Sequence, residues 1–455
     1  MVSAVVVTPL VTRTLGGAEY GVVALGVAAY QVLGVVLALG LPAAITRNAL
    51  IEAAGTRGAA GTVVLGSGAV AVLSAFGVLG VSVLPIRVGG LPADVLRLAL
   101  LSGAGLAVVT LCQAQLRAER RVGTFVALGI GTAVLPPVAG LVTASATLAH
   151  ADRYLGAVSV GQLAVAVVAL AVVVASARPA PTRRGWEHAL RIALPTVPHQ
   201  LATGGVVGCL VLLVGNAAGP VVAGQSQLAL LVGTVPVLLV GAFNNAWAPH
   251  VYAVPPADQA AFVARTARPV LRVAACLAVG LAAVAPWVLH LLAPPELARP
   301  SGWAAAGLAA LAAPVSVLYL SNVHLVFASG RTGLLAVTSP VSLLLALGAF
   351  VAASRAGVVA PVAAACALVA FHVLQSVAAE VLRRRTGRPS VGTAHRLPVV
   401  GGTVAAVVAL VAWDPPHEVR VVVAVLVALA GAVALRGLET AARPRRAVPE
   451  RTVGR

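Results

Sequence analysis

LALGLPAAITRNALIEA, residues 37–53, closes a long uncharged run with a single guanidinium, Arg47. The uncharged run begins at Tyr30, and a lone charge at its end either snorkels to the interface or lines an internal polar cavity. A second arginine, Arg13, sits in the short apolar segment just upstream, set apart by the Leu15-Gly16 and Tyr20-Gly21 steps. Helices that carry one charge each, with Gly and Pro around it, suit a bundle that opens and closes about an anionic cargo.

Outward from this stretch, the composition decides the class. Of 455 residues 60% are hydrophobic and 10% charged, and the mean hydropathy is +1.01, which excludes a soluble protein and implies an all-α polytopic membrane protein. The net charge of +18 invites a nucleic-acid reading, yet all 31 basic residues are arginine and most fall between apolar runs. That is a topological signal: it predicts a multi-pass protein of the bacterial cytoplasmic membrane with both termini cytoplasmic, and no nucleic-acid partner. The absence of Lys beside abundant Ala, Val, Gly and Arg looks like coding from a GC-rich genome. Cys112, Cys209, Cys276 and Cys366 lie alone in apolar runs, without ligand or disulfide spacing, and read as small buried residues.

A template of about 20 apolar residues per span gives about fourteen transmembrane helices. They fall near 1–13, 20–42, 61–84, 94–116, 122–148, 153–176, 189–213, 220–243, 267–292, 303–328, 332–353, 357–379, 397–412 and 419–437. The first is short, as a start site placed too far downstream would leave it. The linker ARPAPTRRGWEH (177–188) divides them into an N-terminal six-helix lobe, 1–177, and a C-terminal six-helix lobe, 188–380. An additional transmembrane hairpin, 397–437, and a basic cytoplasmic tail, 438–455, follow. Duplicated six-helix units are common in transporters, and Gly-rich turns in the segments starting at Val11 and Leu212 echo each other faintly.

Polar side chains inside the runs are few, so each is a candidate for binding substrate. Those singled out as candidates are Gln31, Arg47 and Asn48 in the N-terminal half and His199, Gln200, Gln225 and Asn244 in the C-terminal half. His199 and Gln200 follow Pro195 and Pro198 in LPTVPHQLA, where a broken helix exposes carbonyls; helix-to-helix hydrogen bonding is the plainer alternative. Gln225 and Gln227, two apart, point to different faces, so at most one meets a lumen. Trp247 reads as an interfacial anchor. Essentially all 13 acidic residues lie in or near loops, so proton or sodium coupling through a buried carboxylate has no obvious residue. Walker, HExxH and serine-elbow sequences are absent; neither an enzyme nor a cofactor is implied.

Four stretches resemble the polysaccharide-biosynthesis and export flippases, of O-antigen or teichoic-acid type, in the multidrug/oligosaccharidyl-lipid/polysaccharide (MOP) superfamily. These are TPLVTRTLGGAEYGVVALGVAA with LGLPAAITR (8–47), AQLRAERRVGTFVAL (114–128), ALRIALPTVPHQLA (189–202) and LYLSNVHLVFASGRTGLLAV (318–337). The resemblance implies two six-helix lobes around a central cavity, a MATE-like arrangement. Its cargo would be an undecaprenyl-diphosphate-linked glycan moved between leaflets by a monomer among membrane lipids, beside glycosyltransferases or a polymerase of the same pathway. It matches Arg13 and Arg47 to first-lobe arginines used against the diphosphate. The sequence departs from the family at LLVGNAAGP (212–220), where a charged pair is usual. A peptidoglycan lipid II flippase, an ion-coupled multidrug antiporter and a non-transporting scaffold stay open as alternatives.

Overall fold

The computed structural model describes residues 2–52, 55–84, 90–329, 333–392 and 396–442; Arg87, Arg331 and the part of the expected tail from Arg443 on lie outside the described residues. Within them the chain is helical, without a strand. The first helices are α1 (Val2–Leu37), α2 (Leu41–Leu50), α3 (Gly55–Val83), α4 (Ala93–Ala118), α5 (Val122–Ala146) and α6 (Ala151–Ala177). After them come α7 (Arg183–Ala193), a 3-10 turn (Leu194–Thr196), α8 (Val197–Ala218), α9 (Pro220–Gly233), α10 (Val235–Ala253) and α11 (Gln259–Leu292). The last are α12 (Pro300–Ala310), α13 (Ala312–Ala328), α14 (Leu335–Arg355), α15 (Ala360–Arg385), α16 (Leu397–Trp413) and α17 (His417–Ala442).

Among the described residues, eleven helices are long and apolar enough to cross a bilayer, and up to twelve if the bent pair α9–α10 is one span. The expected fourteen is thereby corrected, for two physical reasons. The 17 residues of α16 rise only about 26 Å, short of the roughly 30 Å hydrocarbon core. The segments expected at 1–13 and 20–42 are the two limbs of α1 on either side of Gly16 (φ 72°, ψ 174°), a non-helical corner inside it, and the limb before the corner is too short to count as a span of its own. Val7 and Val11 before the corner line the same cavity as Val27, Tyr30 and Gln31 after it, whereas a straight helix would hold Val7 and Gln31 about 36 Å apart. The chain therefore folds back at Gly16, and a one-residue corner replaces the expected Gly-rich loop. Only glycine takes that φ without strain.

Packing groups the helices into two compact units. One comprises Met1–Gly233, Ala285–Ala309 and Thr332–Gln375; the other comprises Thr234–Val284, Ala310–Arg331 and Ser376–Arg455. In the first unit α4 packs against α1, α3 and α6. Small residues make this possible: a Cβ on Gly103 would meet the Tyr30 carbonyl at 3.1 Å, and one on Gly105 would meet the Gln162 backbone at 2.8 Å. Where lipid is as apolar as leucine, such close backbone approach and hydrogen bonds between helices drive association. Ser102 Oγ and Ser159 Oγ, 2.8 Å apart, supply one of those bonds between α4 and α6.

The second unit is built around Trp247 on α10. This tryptophan is buried and its Nε1–H donates to Thr266 Oγ1 of α11 at 3.0 Å, so it is a core residue, not the interfacial anchor its place in the sequence suggests. Helix α17 lies along α11, with Gly280 3.7 Å from Val427 Cγ1 and Gly431 3.6 Å from Cys276 Cβ when a Cβ is built on each glycine. Its anchor is Arg420, only 5% exposed. The guanidinium donates to the Ala282 carbonyl at 3.1 Å, the Ala283 carbonyl at 3.3 Å and Asp414 Oδ1 at 2.7 Å. Pro286, four residues beyond Ala282, has no N–H, so the helix leaves that carbonyl without its usual donor, and Arg420 supplies one from another helix. Of the isolated cysteines, Cys112 is buried but Cys366 is exposed, the latter against expectation.

Candidate substrate cavities

The reversal at Gly16 is what creates a cavity inside the first unit. Two limbs of α1 face each other, with α5, α6 and α9 closing the space, and the cavity between them measures about 220 Å³. Its polar lining is Thr8, Tyr20, Tyr30, Gln31, Thr132, Tyr154 and Gln227, and none of its lining residues is charged. Pro136 and Pro137 interrupt the hydrogen-bond ladder of α5 at this level, which lets the helix approach Gly161, whose Cβ would lie 2.9 Å from Pro136 Cα. Three of the five tyrosines in the chain converge here. Of the residues singled out from sequence, Gln31 belongs to this cavity. Gln225 does not: its Nε2 donates to the Glu296 carbonyl at 3.0 Å, so of the 225/227 pair Gln227 faces the space, as the opposite-face argument requires.

Arg13 lies at one end of the unit and Arg47 at the other. Arg13 Nη2 donates to the Leu291 carbonyl at 3.1 Å, and Thr12 Oγ1 to the Leu292 carbonyl at 2.8 Å. Both carbonyls belong to the last turn of α11, where an arginine satisfies orphan acceptors and complements the helix dipole. Nearby Glu296 Oε1 accepts from Gly17 N, the first donor after the corner, at 2.6 Å. Glu19 Oε2 accepts from Ala151 N at the start of α6, while Arg57 Nε donates to the Arg178 carbonyl just past its end. The 27 residues of α6 place these two ends about 40 Å apart. Arg47 is at the second end, with Nε 3.4 Å from Glu52 Oε1 and its side chain 52% exposed. Arg13 and Arg47 therefore do not share one site in this conformation.

A second, larger cleft of about 590 Å³ opens at the Arg47 end. Asn48, Glu52, Arg57, Thr62, Arg184, Trp186 and His188 line it, along with the first residues of α7. Glu52 Oε1 also meets His188 Nε2 at 3.3 Å. The hydrogen bond from His188, its positive charge and then Arg47 hold the Glu52 carboxyl below its ordinary pKa.

His199 and Gln200 are taken up in packing. His199 Nδ1 lies 2.8 Å from Ser339 Oγ on α14, and Gln200 Nε2 donates to Thr196 Oγ1 at 3.0 Å. The carbonyls freed by the Pro195–Pro198 break find donors inside the 3-10 turn: Thr196 Oγ1 donates to the Ala193 carbonyl at 2.7 Å, and Val197 N bonds the Leu194 carbonyl. The Gly40 of the opening stretch (φ 72°) packs on that turn, where a Cβ would collide with the Ala193 carbonyl and Thr196 Oγ1. In the second unit Asn244 Oδ1 accepts from His324 Nε2 at 2.8 Å, and Tyr252 Oη lies 3.0 Å from His324 Nδ1. Among the described residues no group of three or more His, Cys, Asp or Glu could hold a metal ion.

No protein-family model matches the chain, and no curated protein does. Solved structures do. An inward-facing multidrug resistance MATE family transporter of the MOP superfamily matches with a TM-score of 0.66 at 13% identity, over 85% of this chain and 94% of that one. A MATE protein in complex with MaL6 matches at 0.57 and 13% identity, over 84% and 96%. A MOP superfamily transporter from Pyrococcus furiosus Vc1 (DSM3638), described by a reverse polarity of its binding pocket that suggests a different function, matches at 0.57 and 14%, over 84% and 91%. The chain has a MATE-like, two-lobe fold.

Proposed function

We propose that this chain moves a polyprenyl-diphosphate-linked saccharide across the membrane by alternating access of two six-helix lobes, 1–177 and 188–380, without covalent chemistry. The observation that carries the reading is the lining of the cavity within the first unit. Tyrosine, glutamine and threonine offer donors, acceptors and flat apolar faces with no charge among them. That chemistry suits a hydroxyl-rich, uncharged saccharide. Arg13 and Arg47, at opposite ends of the unit, would meet the diphosphate in turn, Arg47 through the forked donors that lysine lacks.

A second reading, ion-coupled export of cationic drugs, draws on the likeness to MATE transporters described as multidrug proteins. Coupling to protons or sodium calls for a buried carboxylate, and the 220 Å³ cavity has none in its lining. Transport decides between the two. In vesicles reconstituted with the purified chain, a fluorescent polyprenyl-diphosphate disaccharide should exchange leaflets, and Arg47→Ala should slow that exchange at least tenfold while the protein still inserts. Gradient-driven accumulation of a cationic dye in everted vesicles, with no glycolipid exchange, would replace this proposal with the antiporter.

A further inference from the structure

The 590 Å³ cleft at the Arg47 end lies outside the translocation cavity, yet it has the marks of a built site. Its size is within the range of about 300–1,000 Å³ usual for small-molecule pockets. Asn48 is 5% exposed and lines it. Its Nδ2 reaches Thr62 Oγ1 at 3.5 Å, while its Oδ1 is buried without a hydrogen-bond partner. An orphaned buried amide oxygen costs about 1–3 kcal/mol, and a hydroxyl donor in the cleft would remove that penalty.

The charges facing the same space are unbalanced. Glu52 is engaged by Arg47 and His188. Arg57 spends Nε on the Arg178 carbonyl and keeps its Nη groups for another acceptor; Arg184 makes no hydrogen bond among the described residues. Helix α7 starts at the cleft, with Thr182 capping Gly185 N at 3.1 Å, so its dipole adds a positive end. Trp186, half-buried against α3, offers an indole face beside them.

An acceptor that wants a hydroxyl, two arginines that want an anion and an aromatic face together describe one ligand class. We propose that this cleft recognises a glycosyl phosphate, with phosphate between Arg57 and Arg184 at the start of α7, a sugar hydroxyl donating to Asn48 Oδ1, and the ring against Trp186. The proposal rests on the saccharide-carrier reading and deepens it, by giving the carrier a place to read the headgroup before the membrane cavity is entered.

Tryptophan fluorescence of the full chain in nanodiscs tests it, with Trp186→Phe defining the Trp186 signal. Glucose 1-phosphate should perturb that signal saturably, with a Kd at least tenfold below those of glucose and of inorganic phosphate. Asn48→Leu and Arg57→Gln should each weaken binding about tenfold. Arg184→Gln, whose side chain holds nothing else in place, should do the same with an unchanged melting temperature. Nanodiscs that contain a polyprenyl-phosphate hexose should displace glucose 1-phosphate if the headgroup is lipid-borne; a soluble sugar phosphate is the ligand if they do not. Equal displacement by phosphatidylglycerol alone, or variants that bind as well as the parent, would overturn the site. Leaflet exchange of the disaccharide lipid is measured separately, so loss of transport with an intact Trp186 signal refutes the carrier reading and leaves the site standing.

Discussion

At Glu52 a single carboxylate joins the opening stretch of sequence to α7. His188 is the largest influence that lowers its pKa and Arg47 the smaller one. A carboxyl whose folded-state pKa is depressed contributes stability in full above its ordinary value, and that contribution is lost as pH falls through the lowered one. The Glu52 carboxyl carbon, followed by 13C NMR in micelles, should therefore titrate below 4.5, its ordinary value, and His188→Ala should raise the midpoint more than Arg47→Ala does. A midpoint at or above the ordinary value, or a larger response to Arg47, would contradict the geometry. The sequence exposed Arg47 and Asn48 as polar residues in an apolar setting. It did not show that Glu52 and His188, 136 residues apart, meet there, because no periodicity records a pairing between a loop and a distant helix. The tyrosines were not legible: Tyr20 and Tyr30 lie ten residues apart on α1, off register for one helix face, and only the packing of α6 brings Tyr154 to them.

Among the elements, α11 and α17 show how a membrane helix tolerates proline. Arg420 donates to the carbonyl that Pro286 leaves unpaired, in a setting where water is scarce. Arg420→Ala should destabilise the fold by about 2–3 kcal/mol, the order expected for orphaning a buried acceptor and losing a charge-assisted bond. Pro286→Ala restores the helical N–H, so the same arginine substitution should cost at least 1 kcal/mol less in that background, a coupling that a double-mutant cycle reads directly. Additive losses would show that Arg420 acts through Asp414 and the Ala283, Leu410 and Pro415 carbonyls and not through Ala282. Hydropathy marked both helices but gave no role to Arg420, because that role depends on a residue in another span. The corner at Gly16 was equally hidden, since a Gly-Gly step in a Gly-rich chain carries little signal until backbone angles are known.

For the whole molecule, the fold class was legible because apolar length and arginine placement are properties of segments, and segments survive any detail of packing. The packing of α1 and the shortness of α16 were not, since both turn on where a helix bends or stops. The arginine pattern also predicts sidedness. Arg57 O accepts from Ala180 N at 3.1 Å, which places positions 57 and 183 at the same end of α6. In a chain freed of its four native cysteines, single cysteines at 57 and at 183 should react with an impermeant maleimide only from the cytoplasmic face. Labelling of either from the other face would reverse the orientation. One feature of the second unit also bears on how the chain is made. The Ala282 carbonyl waits for a donor 138 residues downstream, and at about 5–20 residues per second of synthesis that is an interval of roughly 7–28 s. Through this time α11 is in the bilayer with a polar gap in its side, so the insertion machinery, a lipid headgroup or a trapped water has to shield it until the last helix arrives.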